Sequence, residues 1–262
     1  MTMRHRRYWY ALFLLVLSTP GFTQQIRVAA KFDNEPLSYT VNGEMKGIAF
    51  QVFSQICRDL DLPFTIQRVG PLPWKRALMY LQNNQVDVFL GADRSDEDLK
   101  PLVFSSKPLY QTSYSVFYRK QQPVNLQKLA DTQGTVTEDL DLGLLRQQSG
   151  IRLDLDRSHT RQQSILKLMN RRVDYFIAPL LPTLNYLSEE KMTLIDQVAF
   201  LKKPIAVSEN HLLYSPQTPL LNYKDKIDAK LADYHNSEVV DKKIGKAIAR
   251  WKAFDWYLEH NH

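Results

Sequence analysis

The spacing of apolar residues divides the first part of the chain into alternating strands and helices. Residues 26–30 form a short apolar run that is typical of a strand, and residues 48–60 repeat apolar positions at helical spacing. Residues 64–69 alternate as a strand does, residues 74–81 return to helical spacing, and residues 86–90 form another apolar run. Strands that alternate with helices in this order predict crossover connections, a mostly parallel sheet and an α/β fold.

A second unit with similar elements follows. Residues 113–118 and 173–177 are rich in aromatic and β-branched residues and are predicted strands, whereas residues 140–148 and 164–169 are predicted helices. Residues 220–251 return to helical spacing. No flexible linker interrupts the chain, so we expect ordered strands to join the two units, as a hinge requires.

A short sequence that occurs twice in similar form supports this division into two similar units. The sequence Asn-Arg-Arg-Val-Asp at 170–174 resembles Asn-Asn-Gln-Val-Asp at 83–87. In both places a predicted helix ends in polar residues, and Val-Asp then opens a predicted strand. The spacing between the copies is too long for a short tandem repeat, so we interpret them as matching parts of two lobes.

The first residues have the pattern of a secretory signal peptide. A basic cluster at 4–7 precedes an apolar run at 8–17, and the polar residues 18–23 follow. An N-terminal membrane anchor is the alternative, but the apolar run is well below the ~20 residues that span a bilayer. We therefore expect cleavage after residue 23 and a mature protein in the periplasm.

Composition excludes several other classes of protein. Removal of residues 1–23 would take three Arg from the 34 basic residues and leave 31 against 28 acidic residues, a net charge of +3. That charge is small and scattered, so we expect no nucleic-acid partner. Cys57 is the only cysteine, and the histidines lack the spacing of metal ligands on one helix. We expect no disulfide, no metal site and no cofactor.

The candidate ligand-binding residues lie mainly where predicted strands end, because α/β sheets bind ligands at the carboxyl ends of their strands. Each has a structural alternative, since acids also cap helices and aromatic side chains also pack in cores. No nucleophile–base set is present, so we name no catalytic residue. The candidates are Asp33, Glu35, Tyr39, Trp74, Asp93, Arg94, Tyr110, Glu138 and Asp139.

Several segments, taken in order, resemble one known family. They are 33–39 (Asp-Asn-Glu-Pro-Leu-Ser-Tyr), 47–52 (Gly-Ile-Ala-Phe-Gln-Val), 72–78 (Leu-Pro-Trp-Lys-Arg-Ala-Leu), 86–88 (Val-Asp-Val), 104–110 (Phe-Ser-Ser-Lys-Pro-Leu-Tyr) and 172–177 (Arg-Val-Asp-Tyr-Phe-Ile). Together they are similar to the family 3 periplasmic solute-binding proteins, which include the amino-acid receptors of ABC transporters. The resemblance covers nearly the whole mature chain.

The resemblance implies a two-lobed fold of the periplasmic binding protein type 2 class. Lobe one would comprise residues 24–113 and 208–262, and lobe two residues 114–207, with a small-molecule ligand held between them. Ligand binding would close the hinge, because a ligand that bridges both lobes favours the closed state. We expect a monomer that serves an ABC permease or a membrane sensor and is not an enzyme.

Two departures from the amino-acid receptors change the expected ligand. The family's Arg for the ligand carboxylate falls at Asp98, and its Asp for the ligand ammonium falls at Pro179. Glu138 and Asp139 stand where a helix N-terminus would otherwise receive an anion. We expect a small polar ligand, cationic, polar or aromatic, rather than a standard L-amino acid in the usual clamp.

Two other functions stay open at this point. One is a periplasmic enzyme on the same fold, similar to the dehydratases among this family's relatives, with an acid/base pair such as Glu35 and Asp93. The other is a ligand-sensing partner of a membrane receptor, which would use the same closed form.

Overall fold

A computed structural model describes residues 24–32, 34–94, 99, 101–137, 140–189, 194 and 196–249. The predicted signal peptide, residues 1–23, lies outside the described residues. The strands are β1 (Gln24–Lys31), β2 (Tyr39–Val41), β3 (Glu44–Lys46), β4 (Phe64–Leu72), β5 (Val88–Asp93), β6 (Val103–Arg119), β7 (Gly134–Thr137), β8 (Leu155–Ser158), β9 (Tyr175–Pro179), β10 (Val198–Phe200) and β11 (Ala206–Tyr214). The helices are α1 (Ile48–Asp59), α2 (Trp74–Gln82), α3 (Leu142–Ser149), α4 (Arg161–Met169), α5 (Leu180–Glu189), α6 (Lys224–Asn236) and α7 (Val239–Ile248). Two 3-10 helices span Leu126–Asp131 and Pro219–Tyr223.

One mixed sheet runs through the molecule in the order β4-β1-β5-β11-β6-β9-β7-β8, with β10 also paired to β6. Strand β1 is parallel to β4 and β5, and strand β7 is parallel to β8 and β9. Between these two parallel groups, β11 is antiparallel to both β5 and β6, and β6 is antiparallel to β9. The sheet is therefore two matching halves that meet at the β11–β6 pair.

The two similar sequences at 83–87 and 170–174 lie at equivalent positions in these halves of the sheet. Before β5, the Asp87 carboxylate accepts from the Arg27 backbone N–H at 2.8 Å, and the Asp87 N–H donates to the Arg27 carbonyl at 2.8 Å. Before β9, the Asp174 carboxylate accepts from the Gln133 N–H at 3.1 Å, and the Asp174 N–H donates to the Gln133 carbonyl at 2.7 Å. Each Asp thus fastens the start of its strand to the neighbouring strand segment.

Buried apolar side chains form a separate core in each half. The first core comprises two clusters drawn from residues 26–110 and 212–247. The second core comprises two clusters drawn from residues 114–206. Strands β6 and β11, called the shared strands below, contribute to both cores: Tyr110 belongs to the first and Tyr114 to the second.

Helix α3 fastens the second half of the sheet to a shared strand. The Gln148 side-chain amide donates to the Val207 carbonyl at 2.8 Å and accepts from the Val207 N–H at 2.7 Å. Strand β5 pairs with β11 over Asn210–Tyr214, so among the described residues no strand pairs with Val207 on this edge of β11. The Gln148 side-chain amide thus forms the two hydrogen bonds that a neighbouring strand would otherwise form with the Val207 backbone.

The predicted elements are confirmed where apolar spacing was clear and are shifted or missing elsewhere. Helices α1 and α2 and the strand at 64–69 lie where they were predicted. The predicted strand at 113–118 is the second part of a 17-residue strand, and the predicted helix at 140–148 begins at Leu142 because Asp141 caps it. No apolar pattern predicted β11 or the β2–β3 hairpin. None of the helices formed by the described residues is long and apolar enough to cross a membrane.

The carboxylates of Asp87 and Asp174 should differ in how much they stabilise the fold. The Asp87 side chain is 8% exposed and pairs with the Arg27 guanidinium at 2.9 Å, whereas the Asp174 side chain is 47% exposed. Removing one partner of a buried pair costs about 3–5 kcal/mol, and removing a partly solvated one costs about 1 kcal/mol. We therefore expect Asp87→Ala to lower the free energy of unfolding clearly more than Asp174→Ala. Urea denaturation measures both, and equal losses would contradict this interpretation.

Candidate functional site

A row of polar side chains crosses three strands between the two cores. Asn210 of β11 pairs with Asp93 of β5 on one side, and Ser208 pairs with Thr112 of β6 on the other. Residues that face each other in an antiparallel ladder, and residues two apart along a strand, share one face of the sheet. Asp93, Thr112, Ser208 and Asn210, called the polar row below, therefore lie on one face.

Hydrogen bonds connect the members of the polar row. The Ser208 hydroxyl donates to the Asp93 carboxylate, and the Asn210 amide donates to the Thr112 hydroxyl at 3.0 Å and to the Ser208 carbonyl at 3.2 Å. Thr112, Ser208 and Asn210 are buried, whereas Asp93 is half-buried. Asp93 is therefore the member of the row that is partly exposed to solvent.

Tyr110 extends the row on the side of the first core. Its hydroxyl accepts from the Asn34 amide at 3.3 Å, and burial raises the pKa of Tyr110 well above its usual range. The hydroxyl lies against Gly91, where a Cβ atom would stand 2.0 Å from it and where φ is +98°. Gly91 is thus required both by the backbone conformation and by the approach of the tyrosine.

His211 occupies the opposite face of β11 from the polar row. Its Nδ1 lies 2.9 Å from the Ser105 carbonyl, so the neutral ring carries its proton on Nδ1 and donates it there. Its Nε2 is buried and lies 3.5 Å from a carboxylate oxygen of Glu209. Burial lowers the pKa of His211, the Glu209 carboxylate opposes that shift, and the Arg94 charge adds to it.

In the second half of the sheet, polar side chains follow or end strands β7 and β8. Thr137 ends β7 and is buried, and its hydroxyl has no hydrogen-bond partner among the described residues. Asp141 caps α3 by accepting from the Gly143 N–H at 2.7 Å, and Thr160 caps α4 by accepting from the Gln163 N–H at 3.1 Å.

The structure describes six of the nine candidate residues. Tyr110 in the middle of β6 and Asp93 at the end of β5 both pair with Asn210, and the exposed Arg94 follows Asp93. Glu35 and Tyr39 are half-buried in the segment that follows β1. Trp74 packs with its ring centroid 5.4 Å from that of Phe89, which gives it a role in the first core.

Asp33, Glu138 and Asp139 lie outside the described residues. Binding by any of the nine stays a prediction.

Sequence reasoning missed Asn34, Thr112, Ser208 and Asn210. Short polar residues in a predicted loop or turn are ordinary, and only their burial in the sheet makes them unusual. The Phe-Ser-Ser-Lys-Pro-Leu-Tyr segment at 104–110 was the available signal, because it resembles the family and ends two residues before Thr112.

Similar solved structures share this arrangement of two lobes. The GluR0 ligand-binding core in complex with L-glutamate has a TM-score of 0.67 and 11% identity, covering 87% of this chain and 99% of that chain. A histidine kinase sensor domain similar to periplasmic binding proteins has a TM-score of 0.66 and 17% identity, covering 85% of this chain and 95% of its own. The substrate-binding protein of an amino acid ABC transporter has a TM-score of 0.62 and 17% identity, with coverages of 86% and 100%.

These likenesses define the class of the fold as the two-lobed α/β fold of periplasmic binding proteins. The sequence profile of the bacterial extracellular solute-binding proteins, family 3, matches residues 26–253. The chain belongs to this family, as the sequence resemblance indicated. No curated protein matches the chain with significance.

The buried His211 should make the fold sensitive to acid. Because the folded pKa lies below the unfolded value of 6.5, the unfolded chain takes up the proton first. Stability is then fully present above pH 6.5 and is lost as the pH falls towards the folded pKa, by up to about 1.4 kcal/mol per pH unit. We expect His211→Asn, which retains a donor for the Ser105 carbonyl, to reduce this loss.

Thermal unfolding between pH 7.5 and 5 measures the effect. The control is His235→Asn, because His235 lies in the last turn of α6 and is a member of neither shared strand. This control should keep the wild-type dependence on pH. If His211→Asn and wild type lose stability in parallel, His211 is not the responsible group.

Proposed function

We propose that the chain is a solute-binding protein of the periplasm that captures a small polar ligand between its two lobes and closes around it. Residues 24–113 and 208–262 would form lobe one, and residues 114–207 lobe two. The polar row carries the proposal, because it lies on the shared strands between the two cores. A ligand that contacts both halves at this position would favour the closed state by its differential affinity.

Import and sensing both fit this proposal. Similar structures include a transporter's substrate-binding protein and a kinase sensor domain, and both roles need a closed form that a membrane partner recognises. We therefore propose an ABC permease or a membrane sensor as the partner and a monomer as the working form. A periplasmic location accords with the extracellular class of the family.

The ligand is proposed to differ from a standard L-amino acid held in the usual clamp. Pro179, which stands at the expected place of the ammonium-binding Asp, ends β9 and is buried. Its carbonyl accepts from the Thr183 hydroxyl at 2.6 Å, so this oxygen already has a donor within the fold. An amino acid would therefore need a different set of contacts for its ammonium group.

The enzyme alternative rests on a carboxylate pair such as Glu35 and Asp93. The Asp93 carboxylate accepts a hydrogen bond from the Ser208 hydroxyl, so this carboxylate is part of the polar row. Nothing in the family description assigns a reaction to the chain. We therefore propose that the protein binds its ligand without transforming it.

A binding screen tests the proposed function. The mature chain is heated with small cationic, anionic and neutral polar compounds, and the unfolding temperature is recorded. A compound at 100 times its Kd should stabilise the fold by about 2.7 kcal/mol. NMR of each binding compound after prolonged incubation should show it unchanged. Conversion of the compound would establish an enzyme, and no stabilisation by any class would contradict solute capture.

A further inference from the structure

A short part of the β6–β11 ladder has no third strand paired beside it in the described part of the chain. Strand β5 pairs with β11 over Asn210–Tyr214, and β9 pairs with β6 over Tyr114–Tyr118. Residues 111–113 of β6 and 207–209 of β11 lie between these two regions and pair with each other. These three residue pairs are called the ribbon below.

The ribbon is the part of the sheet that can change its twist most easily. Two-stranded ribbons twist more strongly than wider sheets, and a pair of strands alone is at best marginally stable. Thr112 and Ser208 of the polar row form the middle pair, so the ribbon lies between the two cores. A change in the angle between the lobes would therefore take place in the ribbon.

Gln148 of α3 holds one end of the ribbon. Its side-chain amide donates to the Val207 carbonyl at 2.8 Å and accepts from the Val207 N–H at 2.7 Å, and Val207 pairs with Ser113 on its other edge. The amide thus acts as a third strand that is one residue long. It leaves the Ser208–Thr112 and Glu209–Gln111 pairs as the two-stranded part of the ribbon.

Helix α3 fixes Gln148 to the second half of the sheet. The helix begins at the Asp141 cap and ends at Gly150, which has the left-handed conformation common at helix C-termini. Leu145 of this helix packs in the second core. Gln148 therefore moves with the second half, and its two hydrogen bonds attach that half to β11 at Val207.

We propose that Gln148 sets the lobe-two end of the hinge and thereby limits the range of angles between the lobes. This inference rests on the proposed function and adds a positioning residue to hinge closure. Without the Gln148 amide, the two-stranded part of the ribbon lengthens by the Val207–Ser113 pair, and the ligand-free lobes sample more angles. A narrower range of open conformations lowers the entropic cost of closing around a ligand.

Amide hydrogen exchange of Val207, followed by NMR, tests the local contact. Gln148→Met keeps the length and helix propensity of the side chain but removes both hydrogen bonds. The Val207 N–H should then exchange about twofold to tenfold faster than in the wild type, because it loses its acceptor. The matched control is Gln147→Met, since Gln147 is also exposed and lies about 100° around the same helix. This control should leave the exchange of Val207 unchanged.

Double electron–electron resonance of the ligand-free protein tests the effect on the lobes. The spin labels are introduced by Met79→Cys on α2 and Leu166→Cys on α4, two exposed positions on opposite lobes. Gln148→Met should broaden the distribution of distances between the labels, whereas Gln147→Met should give the wild-type distribution. The midpoint of urea unfolding should change little in either variant, because both side chains are exposed.

Two outcomes would overturn the inference. If Gln148→Met leaves the exchange of Val207 unchanged, the amide does not hold the ribbon. If exchange becomes faster while the distance distribution stays that of the wild type, the amide is a local contact without influence on the lobes, whether or not the urea midpoint falls. Should Gln148→Met not fold, Gln148→Glu makes the same comparison, because it removes the donor to the Val207 carbonyl. Neither measurement uses a ligand, so these outcomes are independent of the binding screen that tests solute capture.

Discussion

The antiparallel pair of β6 and β11 is the interaction on which the rest of the structure depends. These two strands are paired from Val103–Tyr214 at one end to Tyr114–Ala206 at the other. Each parallel group of strands is attached to one of them, β5 to β11 and β9 to β6. Both cores are therefore built on the same ladder, with Tyr110 of β6 in the first core and Tyr114 of β6 in the second.

The polar row lies on the β6–β11 ladder between the two cores. Leu212 of the first core and Ala206 of the second core lie on either side of the row along β11. Polar side chains keep the cores apart, and their hydrogen bonds to each other limit the cost of burial.

The sequence predicted the parallel halves well because their strands and helices have continuous apolar patterns. Val86-Asp87 and Val173-Asp174 marked equivalent strand starts, and the structure shows why: each Asp fastens a neighbouring strand segment. Strand β11 was missed because Ser208, Glu209 and Asn210 interrupt its apolar alternation and are typical of a loop. The polar row could not be predicted for the same reason, since its members become neighbours only through strand pairing.

The most direct test of this account is the distance between the lobes with and without a bound compound. Spin labels introduced by Met79→Cys on α2 and Leu166→Cys on α4 would be exposed on opposite lobes. Cys57 would stay unlabelled, because it is buried and its pKa is raised to about 12. Double electron–electron resonance should show a distance distribution that shifts and narrows when a compound with calorimetrically verified binding saturates the protein. An unchanged distribution at saturation would contradict hinge closure on the shared strands.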